Sequence, residues 1–407
     1  MKNWYIYDNQ VTETPGLDIS WLPAAAYTYV RPHLQHTAVG IVDVHLEAGP
    51  YVGSLPLKNG DTLYIIPRVG RESYARMLFV VEGLEDAVSY EFEEFARMGY
   101  EESGNAPWHV LLKRPFVSRL RQIEKASLVT SRVPTYRRLN YMRGRLKIAD
   151  SLISLMRQEE YPIHTYLREN TTLNLENRLL STAAATILKM TTVDDAQRLI
   201  LARWASLSHG KFVTVHELRQ VSAGLKARKY TGSRSYYIPA LIMAKLILSQ
   251  SGLTLSDENS TASEPVMTNI ADLFEKYIRA IIAKQFSPKG YLVEKRENKS
   301  VTLFIDGTCE LKPDVLLSLQ GMTKLIVDVK YKPRSVVDTA DYYQMNTYLE
   351  NFVVNTGLLV LPQAYQSSNS LTKHETVQGR KIFELRLSLD DWQQSETILS
   401  ETVNQLV

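Results

Sequence analysis

One cysteine, Cys309, stands in the 407-residue sequence, which excludes an intrachain disulfide framework and a cysteine-rich zinc site. No stretch of eighteen or more consecutive apolar residues occurs, so no membrane-spanning helix and no membrane partner are expected. The opening MKNWYIYDNQ lacks the basic-then-apolar pattern of a signal peptide, and a cytoplasmic location is expected. No G-x-x-x-x-G-K-[ST] is present, so the chain has no P-loop of its own. The eight histidines are scattered and none pairs at i, i+4 with another ligand; His164, His209 and His216 read as ordinary polar or capping residues. Neither sign of charge dominates: 47 Lys and Arg against 44 Asp and Glu leave a net +3, which says little about partners.

What is there suggests two or three domains, since 407 residues exceed one ordinary core. The first part alternates short strand-like runs with turns. Val39-Gly40-Ile41-Val42-Asp43-Val44 and Thr62-Leu63-Tyr64-Ile65-Ile66-Pro67 are such runs, and Asn59-Gly60-Asp61 is such a turn. The acidic stretch from Glu82 to Glu102 reads as an exposed helix. Beyond it the pattern turns helical, with strongly apolar faces over Asn177–Met190 and Ile238–Leu248, the latter with Pro239 at a favourable helix start. Ser256-Asp257-Glu258-Asn259-Ser260-Thr261-Ala262-Ser263-Glu264-Pro265 is the clearest break and reads as a flexible connection. The expected fold is therefore a multidomain α+β chain. It would have a β-rich domain over residues 1–112, a helical middle over 113–255, and an α/β domain over 256–407.

Charge is unevenly spread. Eleven Lys/Arg and a single acid, Glu124, lie between Lys113 and Lys147, interleaved with Tyr136 and Tyr141. This strip reads either as a phosphate-contacting or partner-docking surface or as the solvated face of long helices; no base-reading motif accompanies it.

The most informative segment is Leu311–Lys332. Pro313-Asp314 precedes the apolar Val315-Leu316-Leu317, and Asp328-Val329-Lys330 closes the apolar Leu325-Ile326-Val327. Gln320-Gly321-Met322-Thr323 supplies a turn between them, so a tight hairpin is expected. Side chains alternate faces along a strand, which puts Asp328 and Lys330 on one face, within reach of Asp314 from the neighbouring strand. Two carboxylates, the Val329 carbonyl and waters would suit a Mg²⁺ ion, and Lys330 would steer a water or stabilise developing charge. Two solvated strand-end aspartates and an edge lysine would give the same letters. Upstream, Ile270, Leu273, Phe274, Tyr277, Ile278 and Ile281 recur at helical spacing with Glu275 beside the stripe. Downstream, Gln344 and Tyr348 fall on one face of a second helix, ahead of the buried strand Gly357–Pro362.

This order of elements resembles the PD-(D/E)XK nuclease superfamily, with its motif on Asp314, Asp328 and Lys330 and its upstream acid on Glu275; the resemblance implies a mixed central sheet over 256–407. The Gln344-x-x-x-Tyr348 pair looks like the QxxxY motif of the RecB-like branch; a lone cysteine excludes the iron–sulfur members of that branch. The match extends to the McrC family, the nuclease subunit of 5-methylcytosine-directed restriction systems. Ala271–Ile278 (ADLFEKYI), Asp328–Lys332 (DVKYK) and Asp341–Tyr348 (DYYQMNTY) resemble its core. Thr171–Leu180 resembles a central segment ending in N-R-L-L, Arg143–Leu146 its R-G-R-L element, and Tyr236–Pro239 its pre-nuclease segment. Tyr51-Val52-Gly53 with Leu63–Arg68 resembles its N-terminal β-domain, with Arg68 where that family usually has lysine.

The resemblance implies a Mg²⁺-dependent endonuclease, with Mn²⁺ an alternative ion, acting on methylated or otherwise modified DNA. It implies a partner, a GTP-hydrolysing McrB-like AAA+ ring, whose hydrolysis the N-terminal and central regions would stimulate. Arg143, Arg145 and Arg178 are candidates for that contact or for DNA. Pairing of two such complexes would allow both strands to be cut. Two other readings remain: a non-catalytic activator of the ring with a vestigial nuclease fold, and a stand-alone restriction or repair nuclease.

Overall fold

The computed structural model describes residues 3–36, 42–83, 112–190, 193–226, 232–250, 266–295, 301–332, 337–363, 368–389 and 391–407. Most of the acidic Glu82–Glu102 stretch and the Ser256–Pro265 break lie outside the described residues. So do the first residues of the expected Val39–Val44 strand. The chain divides into two compact units, one of Met1–Asn105 with Glu264–Val407 and one of Ala106–Ser263. The regions read from sequence as N-terminal and C-terminal domains thus fall in the same unit.

The N-terminal part of the first unit comprises β1 (Asn3–Tyr7), β2 (Val11–Glu13), β3 (Val30–His36), β4 (Val42–Ala48), β5 (Tyr51–Pro56), β6 (Thr62–Ile66) and α1 (Arg71–Val81). β6 shows why these segments are strands: Leu63 and Ile65 point into the core while Thr62, Tyr64 and Ile66 alternate outwards. β1 runs parallel to β6, β5 antiparallel to it. β2, β4 and β3 form a second, antiparallel sheet. Trp4, Ile6, Leu46, Leu55, Leu63 and Ile65 fill one shared core.

The second unit begins with α2 (Lys113–Ala126) and a ribbon of β7 (Ser131–Leu139), β8 (Arg145–Leu146), α3 (Ile148–Met156) and β9 (Ile163–Thr171). It continues with α4 (Leu175–Met190), α5 (Asp195–Ser206), α6 (Val215–Lys226) and α7 (Ile238–Gln250). α7 is apolar nearly all round, and Leu241, Ile242, Met243, Ile247 and Leu248 are buried, as a central helix requires. Asn177 ties the loop ahead of β7 to α4: its amide donates to the carbonyls of Val129 and Thr172, each at 2.9 Å, and its Oδ1 accepts from the Tyr237 hydroxyl at 2.9 Å. In the ribbon, Gly144 has φ +76°, and a Cβ there would run into the Tyr166 carbonyl of β9.

The C-terminal part of the first unit comprises β10 (Val266–Asn269), α8 (Ile270–Phe286), β11 (Leu292–Glu294), β12 (Val301–Thr302), β13 (Glu310–Leu311), β14 (Val315–Leu319), β15 (Met322–Val329), α9 (Thr339–Asn351), β16 (Thr356–Pro362), β17 (Ser370–Glu375), β18 (Lys381–Leu387) and α10 (Trp392–Leu406). Asn269 starts α8 by accepting from the backbone N–H groups of Ala271 and Asp272 at 3.0 and 3.1 Å. The sheet order is β11-β14-β15-β16-β18-β17. It is mixed, as expected: β15, β16 and β18 run parallel, the remaining neighbours antiparallel. The expected hairpin is present. Gln320 (φ +53°) and Gly321 (φ +79°) join β14 to β15, a two-residue turn whose twist matches the strands.

β10 was not foreseen. It pairs antiparallel with β5, Met267 opposite Gly53, and so welds the start of the C-terminal region onto the N-terminal sheet. That pairing is why the sequence's outer regions share one unit. α1 reinforces it. Arg76 forks onto Glu396 of α10 at 2.8 and 3.0 Å, and Glu396 also accepts from the Tyr277 hydroxyl of α8 at 2.9 Å. No helix among the described residues is long and apolar enough to cross a membrane.

Two glycines with similar φ should behave differently. Gly321 faces open space, so Gly321→Ala is expected to cost only the left-handed backbone strain, about 1–2 kcal/mol. Gly144→Ala adds a backbone collision and is expected to cost about 3 kcal/mol or more. Thermal unfolding of the two full-length variants measures the contrast; equal losses would contradict it.

Candidate active site

The hairpin register puts Val315 opposite Val327, so Asp314 and Asp328 are neighbours across adjacent strand ends. Asp314 Oδ2 accepts the Val329 backbone N–H at 2.8 Å, which fixes the first carboxylate against the second strand. Asp328 is 2% exposed. The Lys330 ammonium stands 2.8 Å from Asp328 Oδ2, a close ion pair that holds this buried oxygen. The arrangement differs from two solvated strand-end acids: Asp328 is buried and Asp314 is half-buried.

α9 holds the lysine. Lys330 donates to Gln344 Oε1 at 2.9 Å, and Gln344 Nε2 donates to the Tyr348 hydroxyl at 2.8 Å. That hydroxyl donates to the Lys312 carbonyl at 3.3 Å. The Gln344–Tyr348 pair therefore bridges the ammonium after β15 and the backbone leading to Asp314. Burial, with the charge of Asp328 next, pushes the Tyr348 hydroxyl up to about 12, so it stays a neutral donor at physiological pH.

Glu275 reaches the site from α8 bracketed by cations. Lys295 donates to both its oxygens at 2.8 and 3.1 Å, and Arg279, one turn on, donates to it at 2.9 Å. Arg279 also lies 3.4 Å from the Asp314 carbonyl. Glu275 thus adds negative charge near the pair while its own oxygens are engaged.

Burial raises the Asp314 carboxyl, and the adjacent Asp328 charge raises it further, to about 7; the Val329 N–H pulls the other way. Burial likewise raises Asp328, opposed by the Lys330 charge. Two largely buried acids that repel each other, with one ammonium beside them, are suited to a hard divalent cation. Among the described residues no three His, Cys, Asp or Glu side chains gather to hold a metal by themselves. Asp314 and Asp328 would therefore need the Val329 carbonyl and waters to complete a shell.

Sequence reasoning missed several members of this site. Lys332 donates to Asp338 and Asp341, each at 2.5 Å, and Asp341 Oδ1 lies 3.9 Å from Lys330. The signal for Asp341 was present, because Asp338 and Asp341 form a reciprocal capping box at the start of α9. Arg279 sits four residues after Glu275, the spacing of a helical ion pair. Arg68 and Tyr331 had no local signal.

Arg143, Arg145 and Arg178 belong to the second unit and are not part of this cluster. Arg143 and Arg145 are exposed. Arg178 is turned into its own unit: it donates to Glu217 at 2.7 and 2.9 Å and to the carbonyls of Lys211 and Phe212 at 3.1 and 2.9 Å. Of the basic strip's side chains, Arg137 pairs with Glu169, Arg138 with Glu159 and Lys147 with Asp150.

Residues 46–362 match the family model of the McrBC 5-methylcytosine restriction system component. The chain belongs to that family. No curated protein matches it. Among solved structures it is similar to a chain of the Thermococcus gammatolerans assembly of McrB AAA+ hexamers with bound McrC. The identity is 14%, all of each chain is covered and the TM-score is 0.65. A second match, in the cryo-EM McrBC complex of the same organism, is 16% identical over 70% of this chain and 88% of that one, with a TM-score of 0.43. The first likeness shows that this McrBC family member shares its overall fold with a chain of that assembly.

The raised carboxyl has a definite pH consequence. Asp314 titrates near 7 when folded against an ordinary 3.8, so between those values the folded state holds more protons. Its contribution to stability is intact below about pH 4 and declines as pH rises through 7. Without metal, the wild type is expected to lose stability relative to Asp314→Asn over that window. Adding MgCl₂ should restore the wild type at pH 8 far more than at pH 5, and leave Asp314→Asn unmoved. Melting curves at the two pH values test this; equal Mg²⁺ shifts in both proteins would contradict it.

Proposed function

We propose that this chain is the Mg²⁺-dependent endonuclease subunit of a McrBC-type, modification-dependent restriction system, with a PD-(D/E)XK catalytic centre. The observation that carries the reading is the convergence of Asp314, Asp328 and Lys330 at adjacent strand ends, with Gln344 and Tyr348 locking the lysine in place. A divalent cation held there would lower the pKa of a bound water and offset charge on the scissile phosphate. Asp314 and Asp328 supply hard oxygens for it. Lys330, fixed between Asp328 and Gln344, presents an ammonium to the attacking water or the developing anion. Glu275 sets the local charge and is itself balanced by Arg279 and Lys295. A vestigial scaffold would have no need of the complete set of acids, lysine and positioning pair.

The partner is a McrB-like AAA+ ring. The relative with this fold is found with McrB hexamers, and the second unit presents a surface that suits docking. In the ribbon, Ile148, Leu152, Ile153, Leu155 and Met156 of α3 are exposed, as are Tyr141 and Met142 beside it. A nine-residue helix so apolar and so bare, next to the exposed Arg143 and Arg145, fits burial against a protein surface better than lone solvation. Cleavage of modified DNA would then need both components, and pairing of complexes would serve double-strand cutting.

Asp328→Ala is expected to lower cleavage of methylated DNA by at least a thousand-fold in the assembly with the ring, while GTPase stimulation stays within about two-fold. Undiminished cutting would remove the assignment. Leu152→Asp with Met156→Asp should abolish co-elution with the ring and the stimulation, without lowering the melting temperature of the isolated chain. Retained co-elution would show that α3 is not the docking surface.

A further inference from the structure

Arg68 lies more than two hundred residues from the catalytic lysine in sequence, yet it touches the two residues that follow Lys330. β1 and β6 run parallel with Tyr7 opposite Ile66, so the residues leaving each strand emerge together. Asp8 N–H donates to the Ile66 carbonyl at 3.0 Å, and Asp8 Oδ1 accepts the Arg68 backbone N–H at 2.6 Å. Asp8 is wholly buried, and burial raises its carboxyl while the Arg68 contacts oppose that rise. The Arg68 guanidinium then projects across the unit. It lies 4.7 Å over the Tyr331 ring and donates through Nη2 to the Lys332 carbonyl.

These contacts fall where the catalytic strand ends. The Lys330 N–H still donates to the Val360 carbonyl at 2.8 Å, but neither Tyr331 nor Lys332 is strand. Beyond Lys330 the backbone no longer has the sheet to place it. Tyr331 is pinned between the Arg68 guanidinium and the Phe274 ring of α8, whose centroid is 5.8 Å away. Lys332 is fixed at its carbonyl by Arg68 and at its ammonium by Asp338 and Asp341. A planar fork that stacks on an aromatic face while donating to a carbonyl is a task lysine performs poorly. Packing alone does not call for a charged pair at this depth, because a buried ion pair gives little net stability over apolar side chains of similar volume. Other contacts bind the same two regions: β10 on β5, Arg76 on Glu396, and the Ser73 hydroxyl on the Leu389 carbonyl. Arg68 is thus not the sole tie that holds the unit together.

We propose that Arg68, seated on Asp8, is a positioning residue for Lys330, and that the N-terminal sheet is a clamp on the catalytic strand. The inference rests on the nuclease reading above. The clamp fixes the backbone on the far side of Lys330, as the Val360 carbonyl fixes it on the near side. The ammonium is then held between Asp328 and Gln344 instead of sweeping over several ångströms. An element outside the nuclease sheet would in this way set the catalytic competence of a site to which it contributes no reacting group.

The test compares wild type, Arg68→Met, Arg68→Lys and Asp328→Asn as full-length chains assembled with the ring. Three quantities are measured: Mn²⁺ stoichiometry and affinity, single-turnover cleavage of methylated duplex DNA against DNA concentration, and hydrogen exchange by mass spectrometry. Arg68→Met is expected to keep Mn²⁺ stoichiometry and half-saturating DNA concentration within about two-fold. Its cleavage rate should fall at least ten-fold, and exchange should rise over 329–332 but not over 315–319. Arg68→Lys should recover part of the rate. An unchanged rate in Arg68→Met, or a rate loss matched by lost Mn²⁺ sites, would overturn the clamp. Cleavage by Asp328→Asn equal to wild type would overturn the nuclease reading, and the clamp with it.

Discussion

The constraint on which this structure turns is the confinement of two carboxylates, Asp314 and Asp328, at the buried ends of neighbouring strands. Each resists the ionisation of the other, and burial resists both. Nothing in the packing requires such a pair, and apolar residues would fill the same space at lower cost. The surroundings moderate the conflict without removing it. Val329 N–H steadies one acid, Lys330 faces the other, and Glu275 adds a third negative charge under the control of Arg279 and Lys295. On the proposed reading, a site held in this state is prepared for a cation that it does not itself provide.

The architecture serves that preparation. The mixed sheet brings β14 and β15 into register, α9 supplies the Gln344–Tyr348 bridge, and α8 brings Glu275 to the same place. The N-terminal sheet continues into this unit through β10 and reaches the end of β15 through Arg68. Within the first unit, then, the small β-region is part of the frame of the candidate site. The second unit is built on different lines, with a helical core and an apolar ribbon that suits a protein partner.

Much of the centre was legible in sequence because its determinants are local. The alternation in Leu325–Lys330 fixed the faces, Gln320-Gly321 fixed the turn, and the four-residue spacing of Gln344 and Tyr348 fixed their common side. The helices over Asn177–Met190 and Ile238–Leu248 followed from apolar runs and periodicity, whereas the mixed sheet followed from the family resemblance. What escaped depends on long-range pairing. β10 is a four-residue strand that gains its hydrogen bonds only from β5, so no periodicity announces it, and the outer regions looked separate. Arg68 was noticed only as a departure from a family's lysine, since its contacts to Tyr331 and Lys332 exist in three dimensions alone. Arg178 shows the converse: a cation that looked available is engaged by Glu217 and two carbonyls inside its own unit.

Joint binding of one divalent ion by Asp314 and Asp328 is the property on which the proposed function depends most directly. Isothermal titration of the full-length chain with Mg²⁺ at pH 8, beside Asp314→Asn and Asp328→Asn, measures this. One site per chain in the wild type, lost in both variants, is the result the structure leads us to expect. Binding that survives either substitution undiminished, or no binding to the wild type, would contradict it.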